Sequence, residues 1–331
     1  MHTQQSLPVE IAGLGSYLPD AVLTNEDLSR MVETSDEWIY PRTGIRQRRI
    51  AAEDQATSDL ALSASRQALE RAGMDAAELD AVIVATCTPD HAFPATGCLV
   101  QAGLGAVNAM AYDLEAACSG FLFGLGNACG MISAGMADNV LVVGAEVLSR
   151  ITDYSDRASC ILFGDGAGAM ALRRARNGGQ MVYCEMGADG AWPDILKVPT
   201  GGSRRPITHE ALDRHEHCIR LQGREVFRLA VNKLTELIDR IPERTGIALG
   251  EIKLVVPHQS NMRIIRSACE RSGLDPDKAY ANIERVGNTS AASIPLAMAE
   301  AVENGRLERG DLVLLLAFGG GLTWGAALAR Y

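Results

Sequence analysis

The chain has 331 residues, 47% of them hydrophobic and 22% charged, with 33 Gly against 12 Pro. That length and composition suit one large or two ordinary globular domains and exclude a disordered, collagen-like or coiled-coil chain. Its 31 Lys and Arg against 41 Asp and Glu leave a net charge of −10; a negative field of that size argues against a nucleic-acid partner, so an anionic ligand must meet a local basic site.

In chain order, the opening MHTQQSLPVEIAGLG has neither a positive segment nor an apolar run of leader length, and the eight cysteines lie singly without a CxxC pair. Both features lead us to expect a reducing, cytoplasmic setting. An amphipathic helix is expected over 60–72, ended by Gly73, then a buried strand over 81–85. A Gly-rich apolar helix over 119–137 starts directly after Cys118 and leads into a strand at 140–143. The second half offers a helix over 226–241 with Gly246 beyond Pro242, a strand over 254–256, a helix over 291–302 and a strand at 312–316. The uncharged run 312–329 reaches the ~18 residues of a membrane span. Gly319, Gly320 and Gly321 divide it, so two buried strands and a turn are expected and no membrane association.

The halves repeat. ERAGMDAAELDAVIVA at 70–85 aligns without gaps on ERTGIALGEIKLVVPH at 243–258. Gly73 and Gly246, Glu78 and Glu251, and Asp138 and Asp311 are each 173 positions apart, and VEIAGLG at 9–15 falls on VYCEMGA at 182–188. Continuous Val/Leu strands alternating with helices predict two similar α/β halves, 1–175 and 176–331, with a site at their junction.

Three residues stand out at that junction. Cys118 begins the apolar helix, where the macrodipole lowers a thiol pKa from ~8.5 toward about 3.5–7.5; the plainer reading is a small buried hydrophobe. His258 ends a buried strand where the first half has Ala85, and Asn288 precedes by three positions the repeat mate of Cys118. Each alone reads as a satisfied strand-end histidine or a turn residue; together they set Cys, His and Asn at one level of two matched halves. The FGGG turn at 318–321 lets backbone amides approach a ligand, as an oxyanion hole requires, or serves as a tight turn. On the helix over 224–240, Arg224, Arg228 and Asn232 form a stripe that Arg263 and Arg266 extend. His215, His217 and Cys218 have no second pair at ligand spacing, so no metal site is inferred.

EAACSGF around Cys118, VPHQSNMRI around His258, GNTSAASIP around Asn288, FGDGAGAM, SDEWIYPRTGI and AFGGGLTWG together resemble 3-oxoacyl-(acyl carrier protein) synthase III, from the first strand to the last residue. The resemblance implies the thiolase fold, a five-layered αβαβα subunit, in a homodimer. It implies that Cys118 is the nucleophile, that His258 and Asn288 drive decarboxylation, and that the amides of Cys118 and Gly320 form the oxyanion hole. It assigns the CoA adenine clamp to Trp38 and Arg157 with Arg42 beside them, Phe163 to the flank of the thiol, and Gly223 and Asn261 to the pantetheine tunnel. Phe93 corresponds to a residue inserted into the partner's acyl pocket, and Arg228 and Arg263 to carrier docking, with Arg224 a further candidate. The implied partners are acyl-CoA and acyl carrier protein, with no cofactor. An acyltransferase or secondary-pathway condensing enzyme using the same Cys118, and a non-catalytic acyl-binding scaffold, remain alternatives at this point. A biosynthetic thiolase would need a second cysteine at the site, and none stands out.

Overall fold

A computed structural model describes residues 6–176 and 179–331. Residues 1–5, part of the segment read as lacking a leader, lie outside the described residues. The helix Thr57–Ala72 buries Leu60, Ala61, Ala64, Ala68 and Leu69 along one face and stops at Gly73, whose φ of 58° few other residues adopt. Its counterpart, Gly223–Thr245, runs on through Pro242 to Gly246, longer than the expected 226–241. The apolar face Ala230, Leu234, Leu237 and Ile241 holds it together across the missing proline N–H.

The strands Ala81–Ala85 and Leu312–Gly319 are buried at every position, as their unbroken apolar runs require. One sheet has the order Val9–Tyr17, Gly166–Arg174, Asn139–Glu146, Ala81–Ala85, Met110–Leu114. The other has Met181–Ala188, Thr323–Arg330, Leu312–Gly319, Leu254–Pro257. The repeat holds in register: Ala81 pairs with Val140 in parallel, and Leu254 with Val313, each 173 positions on. It breaks at one edge, where the counterpart of the strand Met110–Leu114 is the short helix Ile283–Val286, which leads into Asn288.

The helices Gly120–Ser133 and Ser293–Glu303 lie between the sheets, and Phe121, Leu125, Ile294 and Met298 share a core with Ile83, Val142, Val256 and Leu315. Outside, Thr57–Ala72 covers the first sheet, while Gly223–Thr245 and Met262–Arg271 cover the second. The layers therefore run αβαβα. The first central helix begins one residue later than expected and the second two, after 3-10 turns at Ala117–Ser119 and Ser290–Ala292. These turns cross over: a Cβ on Gly144 would stand 2.2 Å from the Ala291 carbonyl oxygen, and one on Gly319 2.7 Å from the Cys118 nitrogen. Each half thus packs a strand end against the other half's turn, which is how one site draws on both. No helix among the described residues is long and apolar enough to cross a membrane.

Arg48 ties the site's outer wall to this frame. Fully buried, it donates to the Leu23 and Ile161 carbonyls at 3.2 and 2.6 Å and to Asn25 Oδ1 at 2.9 Å. Burial pulls its pKa down to about 10, so it remains charged at neutral pH. Arg48→Met is expected to cost about 2–4 kcal/mol in urea unfolding, because two buried acceptors and one partly buried one lose their donor.

Candidate active site

The turn at Ala117–Ser119 holds Cys118 on strained backbone: Ala117 has φ 46°, and its N–H donates to Glu115 Oε1 at 2.8 Å. The second half repeats the device. Ser290, 173 positions on, has φ 47°, and its N–H donates to Asn288 Oδ1 at 2.9 Å. Asn288 is thus the repeat mate of Glu115. That bond fixes the carboxamide's orientation and leaves both Nδ2 protons free for the site among the described residues.

His258 leaves the strand Leu254–Pro257 with its N–H bound to the Leu316 carbonyl at 2.7 Å. The following Gln259 is buried and locks the strand end, donating to the Pro257 and Tyr280 carbonyls and accepting from the Asn282 and Ile283 amides. The His258 ring lies 3.0 Å through Nδ1 from Ser293 Oγ, and burial lowers its pKa to about 3, so the imidazole is neutral.

Cys118, His258 and Asn288 line one cavity of about 510 Å³, whose outer wall carries Arg42, Asn261 and Arg263. A second chamber of about 330 Å³, walled by Leu148, Ile219, Gly320 and Gly321, meets the first at Cys118, Phe163 and Leu196. The thiol therefore stands where an entry tunnel opens into a mostly apolar pocket. Among the described residues, no backbone carbonyl accepts from the Cys118 or the Gly320 amide N–H.

The thiol departs from expectation. Burial pushes its pKa from 9.0 to about 12; the Ser290 hydroxyl pulls the other way, and the charges of Glu146 and Glu115 add to the rise. That rise amounts to about 4 kcal/mol, against ~0.3–2 kcal/mol from a helix N-terminus. Desolvation outweighs the macrodipole, so Cys118 rests as a thiol.

Other expected residues fall as follows. Of the residues expected to clamp adenine, Trp38 carries both Arg42 and Arg157 over its ring, at 4.6 and 4.7 Å. Gly223 lines the tunnel, and a Cβ there would meet only Leu221 Cδ1 at 3.7 Å. Asn261 caps the helix Met262–Arg271 through Oδ1 and donates to the Arg42 carbonyl at 2.9 Å, leaving one N–H for a ligand. Arg224 and Arg263 stand at the tunnel mouth, whereas Arg228 is held by Glu225 at 2.9 Å, which weakens the expected basic stripe. Phe93 is 87% exposed. His215 binds Asp153 at 2.9 Å and Cys218 is buried.

Sequence reasoning missed several residues. Cys87, two positions past the strand Ala81–Ala85, lines the inner chamber with Cys118, and its Sγ lies 3.8 Å from Ser290 Oγ. A second cysteine therefore does stand at the site, contrary to expectation. It remains a poor base: burial and neighbouring Glu146 push its pKa well up. Glu146 is fully buried, accepting from Thr88 Oγ1 at 2.6 Å and the Cys87 N–H at 3.1 Å. Its only sequence signal was a carboxylate closing an otherwise apolar strand, where the repeat has Gly319.

Comparison with known proteins gives a consistent result. Two family models match, 3-oxoacyl-[acyl-carrier-protein (ACP)] synthase III over residues 112–190 and its C-terminal counterpart over residues 243–331. The chain is 48% identical over 327 residues to the beta-ketoacyl-[acyl-carrier-protein] synthase III of Caldanaerobacter subterraneus subsp. tengcongensis, covering 99% of each. The solved 3-oxoacyl-[acyl-carrier-protein] synthase III of Aquifex aeolicus VF5 superposes with a TM-score of 0.90 at 45% identity, over 98% of this chain and 100% of that one. The priming beta-ketosynthase of the R1128 polyketide pathway also superposes at 0.90, over 99% and 98%, but at 32% identity.

Proposed function

The chain belongs to the 3-oxoacyl-[acyl-carrier-protein] synthase III family, and from that premise we infer that it joins an acyl-CoA starter to malonyl-(acyl carrier protein) with loss of CO₂, initiating fatty acid biosynthesis. The observation that carries this reading is one tunnel on which a thiol, a neutral imidazole and a carboxamide with a committed oxygen converge.

Cys118 sulfur attacks the thioester carbon, and the oxyanion is held by the Cys118 and Gly320 amides, for which no carbonyl acceptor stands among the described residues. CoA leaves as its thiol, taking the proton Cys118 gives up, and an acyl-enzyme remains. Malonyl-(acyl carrier protein) then enters. As its C–CO₂ bond breaks, negative charge builds on the thioester oxygen, and His258 Nε2–H and Asn288 Nδ2–H donate to it. The carbanion attacks the acyl carbon, and Cys118 departs as thiolate, which takes up a proton from solvent to restore the resting thiol. These groups carry every step, so the reaction calls for no metal or organic cofactor.

The tunnel mouth, with Arg42, Arg224 and Arg263 exposed in an otherwise acidic protein, suits CoA phosphates and an acidic carrier surface. The exposed Phe93 ring supports a homodimer in which it enters the partner's inner chamber. Eight free cysteines suit the cytoplasm.

Intact-mass measurement after mixing with acyl-CoA tests the first half-reaction: an adduct is expected in the native chain and absent in Cys118→Ala. Labelled CO₂ release from malonyl carrier protein tests the second. An adduct without CO₂ release, given an accepted starter, would move the enzyme to the plain acyltransferases.

Because the thiol rests near pKa 12, the reactive thiolate fraction grows with each step in pH below that value. Single-turnover acylation is expected to rise roughly tenfold per pH unit between pH 7 and 9. A plateau from pH 7 upward would show that substrate binding removes the thiol proton by another route.

A further inference from the structure

Decarboxylation as inferred above needs a proton on His258 Nε2, yet a neutral imidazole carries its single proton on either nitrogen. Nδ1 faces Ser293 Oγ at 3.0 Å, and Ser293 Oγ faces Thr289 Oγ1 at 3.2 Å, all three groups buried. Among the described residues the Thr289 hydroxyl has no other partner.

Two proton arrangements fit these distances. If Nδ1 carried the proton, it would donate to Ser293 and Ser293 to Thr289, leaving the Thr289 O–H a buried donor with nowhere to go. In the opposite order Thr289 donates to Ser293 and Ser293 to Nδ1, so each hydroxyl proton is used and only a threonine lone pair goes unfilled. An orphaned donor costs more than an under-used acceptor. We propose that Thr289 and Ser293 form a hydroxyl relay that fixes His258 in the Nε2–H tautomer, making Ser293 a positioning residue for the decarboxylation step.

Ser293 is set for this by the fold. It is the first residue of the central helix Ser293–Glu303, beyond the turn Ser290–Ala292 that Asn288 anchors. One helix start therefore orients both decarboxylation donors: Asn288 through its own oxygen, and His258 through Ser293.

The proposal rests on the condensing role of His258, and its test separates the two. In ¹⁵N-histidine-labelled native protein, assigned by difference from His258→Ala, His258 is expected to show a bare Nδ1 and a protonated Nε2. In Ser293→Ala the Nδ1–H form is expected to appear, with kcat for CO₂ release falling roughly tenfold to a hundredfold at unchanged KM, and Cys118 acylation unaltered. Ser293→Thr, which keeps the hydroxyl, is expected to restore most of the rate. Thr289→Val gives the same readout in milder form should Ser293→Ala fold poorly. An Nδ1–H resonance in the native protein, or equal losses in Ser293→Ala and Ser293→Thr, would overturn the relay. Undiminished CO₂ release in His258→Ala would instead overturn the role of His258 itself.

Discussion

Asn288→Ala and His258→Ala are expected to acylate Cys118 at the native rate while releasing CO₂ about a hundredfold to a thousandfold more slowly, the loss typical of one donor to a developing oxyanion. The division follows from where charge appears. In the first half-reaction as proposed, the oxyanion is served by backbone amides, which neither substitution touches. In the second, charge builds on the malonyl thioester oxygen, and the only side-chain donors proposed for it are the His258 imidazole and the Asn288 carboxamide. Asn288→Ala also strips the partner from the Ser290 N–H in a strained turn. Asn288→Asp separates the effects: it keeps an acceptor for Ser290 but presents no amide proton, and a comparable loss of CO₂ release is expected. Measuring adduct formation and CO₂ release side by side checks this; loss of acylation in Asn288→Asp or His258→Ala would mean the donors serve both steps.

Gly319→Ala attacks the other half-reaction. Its new Cβ would fall 2.7 Å from the Cys118 nitrogen and 3.1 Å from Cys118 Cβ, with backbone as the obstacle. The strand end must retreat, carrying the Gly320 amide out of line with that of Cys118. Acylation is expected to fall at least a hundredfold, equivalent to losing about 2.7–4 kcal/mol from one oxyanion donor. Native circular dichroism together with an absent adduct would support the assignment. A variant that acylates normally would remove Gly320 from the oxyanion hole.

Much of the fold was legible because duplication writes the same spacing twice. The 173 offset located the helices and strands, and in the structure it proves to be the register offset of both sheets. Apolar runs without polar alternation marked strands covered on both faces. Cys118, His258 and Asn288 were legible as polar residues placed where a helix starts or a strand ends. The Glu115–Asn288 correspondence was also within reach of the same offset, but its meaning, a side chain clamping a left-handed turn, is visible only in backbone angles.

By itself, then, the sequence determined the order of elements, the pairing of the halves and the candidate site residues, since these depend on periodicity and spacing along the chain. Tertiary structure alone decided their chemical state. The thiol pKa depends on how much water the chamber excludes, and the tautomer of His258 on a serine 35 positions away. Cys87 joins the site only through a strand end that packs beside the Ser290 turn. Desolvation and hydrogen-bond partnership arise from the packing of distant segments, and no local pattern in the chain encodes them.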